Sequence, residues 1–209
     1  MPTGSGLDAQ IGLAEESVYG TVVAPTRFIE FNDESVSKEH EWVEPTGLAA
    51  GRKYKLVSRL IASRTNVTGS IALEHATRGM GLLWKHALGN STIAQLAATT
   101  AYEQIHTPGE LRGKSLTVQV GRPEPATGTV RPFNYSGVKI ISWELGVVDN
   151  EIATLSLDLD GRDMETTTAL GAASFIAGSG VGGFHQAVLK LGGTPSTVSG
   201  KTTIAGGVT

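Results

Sequence analysis

Val138-Lys139-Ile140-Ile141-Ser142-Trp143-Glu144-Leu145-Gly146-Val147-Val148-Asp149-Asn150-Glu151-Ile152-Ala153-Thr154-Leu155-Ser156-Leu157-Asp158-Leu159-Asp160 is the stretch on which the fold turns. Apolar and polar side chains alternate on both sides of Asp149-Asn150, the period of a strand with one buried face. Asn and Asp tolerate positive φ, so this pair predicts a tight turn between strands at 138–148 and 152–159. Leu155, Leu157 and Leu159 then share one face, and Thr154, Ser156, Asp158 and Asp160 the other. On the first strand Ile141, Trp143, Leu145 and Val147 oppose Ser142 and Glu144, which gives the hairpin an apolar side for a core and an acidic side for water.

Working outward, the same alternation predicts strands at 27–31, 35–44, 53–61, 66–75 and 115–120, with Pro45, Gly47 and Gly51 marking a loop. One helix stands out, at about 78–88. Thr77 can cap it, Met80, Leu83, Trp84, Ala87 and Leu88 form one apolar stripe, and Gly89 can close it. Gly79 and Gly81 cost this helix roughly 1 kcal/mol each, so it needs a sheet to pack on. His86 reads as a surface or inter-subunit residue. The fold class is mainly β: a sandwich or partial barrel with one flanking helix. Residues 1–26 read as an N-terminal arm and 27–164 as the β domain. Residues 165–209 form a Gly/Ser/Thr-rich segment with one strand expected at 184–191 and a flexible or partner-dependent end.

The chain has 209 residues, 27 of them glycine, and a net charge of −3. That balance disfavours nonspecific nucleic-acid binding, which needs a basic surface. Cysteine is absent, which removes disulfides, thiol nucleophiles and Cys-based zinc sites. The start lacks the pattern of a signal peptide, and apolar residues never run long enough for a membrane helix, so a soluble, unsecreted chain is expected. Gly178-x-Gly180-x-x-Gly183 has the spacing of a dinucleotide loop, but no acid follows it. Gly200-Lys201-Thr202 lacks the first glycine of a phosphate loop. Asp158, Asp160, Asp163 and Glu165 lack the pattern of a calcium loop, and the five histidines lack zinc spacing. The sequons at Asn66, Asn90 and Asn134 occur in a chain rich in Ser and Thr. Neither cofactor nor metal nor catalytic residue is expected, and the chain does not read as an enzyme.

Charge is segregated along the sequence. Glu30, Asp33, Glu34, Glu39, Glu41 and Glu44 are diluted only by Lys38, whereas Arg52, Lys53, Lys55, Arg59 and Arg64 have no acid among them. These are either two solvated faces or the halves of a head-to-tail contact, which closes rings or propagates filaments. The bases could alternatively bind DNA.

Gly6-Leu7-Asp8-Ala9-Gln10-Ile11-Gly12-Leu13-Ala14-Glu15-Glu16-Ser17, with Tyr19-Gly20-Thr21 and Ala24-Pro25-Thr26-Arg27-Phe28, resembles the opening of the major tail tube proteins of long-tailed, noncontractile bacteriophages. Gly47-Leu48, Gly51-Arg52, Gly69-Ser70-Ile71-Ala72-Leu73-Glu74 and Gly81-Leu82-Leu83-Trp84-Lys85-His86-Ala87-Leu88-Gly89 agree, as do residues 133–145 and 151–154 with the family's central hairpin. The resemblance covers about residues 5–162. It implies hexameric rings stacked into a hollow virion tail, with no membrane. The implied partners are the protein itself, a tape measure protein, tail-end proteins and DNA passing through without sequence-specific binding. Hairpins of neighbouring copies would pair edge to edge into a continuous inner β-barrel. In that setting Glu144, Asp158 and Asp160 become candidates for the lumen, where like charge repels phosphate. Arg52, Lys53, Lys55, Arg59 and Arg64, opposed by Glu39, Glu41 and Glu44, become candidates for contacts between rings. Two rivals stay open: a related tube-forming subunit, of a contractile tail, a secretion tube or a tail terminator, and a non-catalytic β-sandwich binding module.

Overall fold

The computed structural model describes residues 6–47, 50, 51, 54, 56–97, 99–187, 192–198 and 201–205. The strands are β1 (Gln10–Glu15), β2 (Arg27–Ile29), β3 (Asp33–Glu34), β4 (Ser37–Val43), β5 (Ile61–Glu74), β6 (Gly89–Gln95), β7 (Tyr102–Pro108), β8 (Leu116–Pro123), β9 (Val130–Gly146), β10 (Thr154–Gly161), β11 (Asp163–Glu165), β12 (Thr194–Val198) and β13 (Lys201–Ala205). Helix α1 (Gly81–Leu88) lies between β5 and β6. The main sheet runs β2-β1-β8-β9-β10-β5-β3, with β4 also on β5 and β11 also on β9; β6–β7 and β12–β13 are separate hairpins.

β9 is the pivot. Its first half pairs with β8 and its second with β10. The sheet therefore curls so that its two halves enclose one core. Ile11, Leu13, Val118, Val120 and Tyr135 come from one half and Val67, Ile71, Leu73, Leu155, Leu157 and Leu159 from the other, all essentially buried. Each such aliphatic side chain contributes about 1.5–3 kcal/mol on burial. The Tyr135 hydroxyl crosses the core to donate to the Val36 carbonyl at 2.7 Å, which satisfies a polar group that would be costly to bury alone.

The hairpin forms between the predicted strands, but over a longer connection: β9 ends at Gly146 and β10 begins at Thr154, with Asn150 at φ 62° in between. A register slip changes one face. Asp158 pairs with Ser142 and Leu159 with Ile140, so Ile141 is bulged out and 65% exposed, and Ile140 takes the core position assigned to it from sequence. The boundary predicted between strands at 53–61 and 66–75 disappears: β5 runs unbroken from Ile61 to Glu74, and Val57–Arg59 is a 3-10 turn.

Helix α1 starts later than predicted. Thr77 does not cap it; its N–H donates to the Gly180 carbonyl and its hydroxyl accepts from the Gly180 N–H. Gly89 closes the helix at φ 105°. His86 is buried, a correction to its surface reading, because it falls on the same side of the helix as Leu83. Burial lowers its pKa to about 4 against the opposing pull of Glu15, whose Oε1 lies 3.7 Å from Nε2.

Two terminal segments also differ from expectation. Residues 10–15, assigned to an arm, form β1 between β2 and β8 in the sheet. At its end Glu16 is buried, and its carboxylate accepts from Ser115 Oγ, Thr117 Oγ1 and the N–H groups of Gly20 and Gly137. Residues 165–171 are anchored on the far side of the sheet. Buried Gln119 donates to Ala169 O and accepts from Gly171 N–H, and buried Asn134 donates to Thr168 O. Asn134 is thus no exposed glycan acceptor. Phe184–Gln186 is a 3-10 turn rather than the start of a strand, because its backbone ties to Glu151 and Gly183; residues 188–191 lie outside the described residues. The end, expected to be flexible or partner-dependent, carries the β12–β13 hairpin.

Candidate assembly interface

Half of the main sheet has one polar face. It consists of the second half of β9, then β10, β5 and β4, each antiparallel to the next. Lys139, Asp160, Thr68 and Ser37 form one cross-strand row. Directly paired residues point to the same side, so the side opposite the leucines is fixed by register. It carries Ser142 and Glu144 from β9, Thr154, Ser156, Asp158 and Asp160 from β10, Thr68, Ser70 and Glu74 from β5, and Ser37, Glu39 and Glu41 from β4. Ser142 Oγ donates to the Asp158 carboxylate. The surface is hydroxyl-lined and acidic. Its bases in these pairings are Lys139, across from Asp160, and Arg64, across from Glu41.

Both edges of this four-strand unit are open. Among the described residues, β9 has no neighbour along 139–146 on the side away from β10, and β4 has none on the side away from β5. An edge presents unpaired N–H and C=O groups and invites another strand. The last β5 residue paired with β10 is Val67, so residues 39–43 of β4 and 61–66 of β5 project beyond the sheet as a two-stranded arm. Such a ribbon is marginal alone. It nevertheless exposes Trp42, Val43 and Ile61, and Val57 beside its tip is 80% exposed.

The root of the arm is fixed. Arg122 on β8 forks onto Glu34 and reaches the Val36 carbonyl, and its guanidinium stacks over Phe133. A Cβ at Gly69 would stand 2.4 Å from Val36 Cα, so only glycine lets the two backbones cross. Lys38 bridges to Asp163 at 2.6 Å; that hydrogen bond holds the Asp163 carboxyl below its usual range.

The residues singled out from sequence fall as follows. Glu144, Asp158 and Asp160 are exposed together on the polar face. Glu39 and Glu41 lie on that same face, further along β4. Glu44 follows β4 toward the arm's tip, Arg59 ends the 3-10 turn, and both are exposed. Arg52, Lys53 and Lys55 lie outside the described residues. Arg122, Glu34, Glu16 and Gly69 gain specific roles that sequence alone does not assign; Gly69 carries a signal, as a glycine inside an alternating strand. Among the described residues no group of three or more His, Asp or Glu could hold a metal ion, and no helix is long and apolar enough to cross a membrane.

The sequence profile of a family described as phage tail tube protein matches residues 6–208. The chain belongs to the phage tail tube protein family. It is a tail tube subunit, a structural component of the virion, and its work is architectural rather than catalytic. The match extends through the C-terminal segment, beyond the 5–162 span of the sequence resemblance. Among solved structures, this tail tube subunit is similar to a chain of the anti-feeding prophage baseplate, at 14% identity over 79% of this chain and 95% of that one, with a TM-score of 0.49. It is also similar to a chain of a native gene transfer agent virion, at 15% identity over 78% and 98% with a TM-score of 0.46, and to the SPP1 tail tube, at 8% identity over 77% of each with a TM-score of 0.44. No curated protein matches the tail tube subunit by sequence.

Proposed function

We propose that six copies of this subunit close into a ring by pairing β4 of one copy with β9 of the next, and that the rings stack into the hollow tube of a noncontractile tail. The observation that carries this reading is the pair of open edges on one four-strand sheet. With directions alternating across four strands, the two edge strands run opposite ways, so a head-to-tail junction is itself antiparallel.

The offset of the edges supports closure. Measured from the row Lys139-Asp160-Thr68-Ser37, the free part of β9 runs one way and β4 the other. Their centres differ by about six to seven residues, which at ~3.3 Å per residue against ~4.8 Å per strand gives strands tilted by roughly 45–50°. Closed barrels tilt by about 35–45°. Six copies of four strands at that tilt make a barrel roughly 5 nm across at the backbone, wide enough for a DNA duplex.

In this ring the polar face lines the lumen. Glu144, Asp158 and Asp160, joined by Glu39 and Glu41, repel phosphate, and the face offers no aromatic platform for bases, so DNA slides without sequence-specific binding. Beyond the β4–β9 seam, the tip of the arm reaches out of the ring toward the next one. The bases Arg52, Lys53, Lys55, Arg59 and Arg64, which fall in sequence between β4 and the middle of β5, oppose acids of the adjoining ring, among them Glu44, while Glu39 and Glu41 face the lumen. A tape measure protein in the lumen and proteins capping each end complete the partners that the family resemblance implies. Negative-stain microscopy of the purified chain tests the reading: hollow rings or tubes are expected, and dispersed monomers at high concentration would contradict it.

A further inference from the structure

We infer that Trp42 anchors each copy to the next, packing against the apolar edge that Trp143 and Trp84 build on the neighbouring subunit. This rests on the ring reading above and adds the contact that holds its seam together. Trp42 pairs with Ala62 and lies on the same side of β4 as His40, whose ring centroid is 6.1 Å away. That side is the core side of the sheet, opposite Glu39 and Glu41. Within one copy the core does not reach so far, and Trp42 is 58% exposed.

The opposite edge has a matching deficit on the same side. Trp143 pairs with buried Leu157, and Trp84 meets it edge-on at 5.2 Å between ring centroids. Even so, Trp143 remains 42% exposed. Leu145 pairs with buried Leu155 and is itself 43% exposed, and the bulged Ile141 beside them is 65% exposed. One sheet thus ends in exposed apolar groups on its core side at both edges. Joined antiparallel, with the two free stretches centred on each other, β4 brings Trp42 opposite Ile140–Ile141 of the next β9, diagonal to Trp143. The seam then continues the core from copy to copy, with acids and hydroxyls on one side and aromatics on the other. The occupant is a second copy of this chain, because one sheet supplies both halves of the contact and the two edges run in opposite directions. Tryptophans in such positions commonly dominate interface energetics.

The absence of cysteine makes the test direct. Trp42→Cys combined with Ile140→Cys or with Ile141→Cys is assembled into tubes, at the raised concentration that loss of the tryptophan demands, and oxidised. A ladder of cross-linked species rising to the full ring is expected from at least one pairing, with no ladder from any single variant. Trp42→Ala is expected to leave the melting temperature of the monomer unchanged, since the side chain is exposed there. It should raise the concentration needed for tube formation about tenfold or more, with Trp42→Phe recovering part of the loss. Tubes that form at the wild-type concentration in Trp42→Ala, with no cross-link in either double variant, would overturn the anchor while leaving the ring intact. Failure of the wild-type chain to form rings or tubes would instead overturn the ring itself.

Discussion

Arg122 donates from Nε and Nη2 to the two carboxylate oxygens of Glu34, each at 2.8 Å, and from Nη2 to the Val36 carbonyl at 2.6 Å. This fork ties β8 to the root of the arm, and the Glu34 hydrogen bonds hold the guanidinium charged beyond its usual range. A lysine cannot reproduce the planar geometry. Arg122→Lys is expected to cost about 1–2 kcal/mol in urea unfolding, and Glu34→Gln a similar amount. Since the two act on one contact, the double variant should cost clearly less than the sum.

Gly69 supports the same root by having no side chain. The atoms that a Cβ would strike are backbone, Val36 Cα and N and Ser35 C, all within 2.7 Å. Gly69→Ala is therefore expected to destabilise the monomer by more than about 2 kcal/mol, because the neighbours cannot rotate away. Gly47, with open space around it, is the control: Gly47→Ala should change stability by less than about 0.5 kcal/mol. Thermal or urea melts of the two variants make the comparison.

His86 gives a pH dependence with a definite sign. Its folded pKa, about 4, lies below the ordinary histidine value of 6.5, so between these values the unfolded chain binds a proton that the folded chain refuses. Stability is full above about pH 6.5, falls as pH drops toward 4, and levels off below, a loss of up to roughly 3 kcal/mol. Melting curves from about pH 4 to 7 should show this slope in the wild-type chain. It should be much reduced in His86→Gln, whose side chain does not titrate.

The acidic face carries a functional expectation. Reversing Glu144, Asp158 and Asp160 to lysine leaves every apolar core position untouched, so tubes should still form. DNA should then pass more slowly, since each ring would bind phosphate instead of repelling it, and the slowing should weaken as salt rises. Ejection measured from particles carrying the variant, at two salt concentrations, checks both parts. Unchanged ejection would remove these residues from the lumen.

The parts of this fold legible in the sequence are those where one face is wet. Leu155, Leu157 and Leu159 against Ser156, Asp158 and Asp160 announce both the strand and its two sides, and register then collects the acids on one surface. The strand β1 is harder to read. Ile11 and Leu13 alternate over only six residues, and Gly12 between them carries no polar side chain to mark a solvent face, because it lies against Pro25 and Phe28. Residues 165–171 carry no apolar pattern because they are held by main-chain bonds to Gln119 and Asn134, two buried amides that in sequence look like ordinary surface residues. The bulge at Ile141 depends on how two strands meet, which neither strand encodes alone. The open edges are invisible in sequence for the same reason: an edge is defined by a neighbour that is absent.

Amide hydrogen exchange, compared between dispersed subunits and assembled tubes, bears most directly on the ring. If β4 and β9 join neighbouring copies, outward-directed amides within 37–43 and 139–146 exchange freely in the subunit and become strongly protected together on assembly. Tubes in which both stretches still exchange freely, with protection gained elsewhere, would show that copies are joined by some other surface.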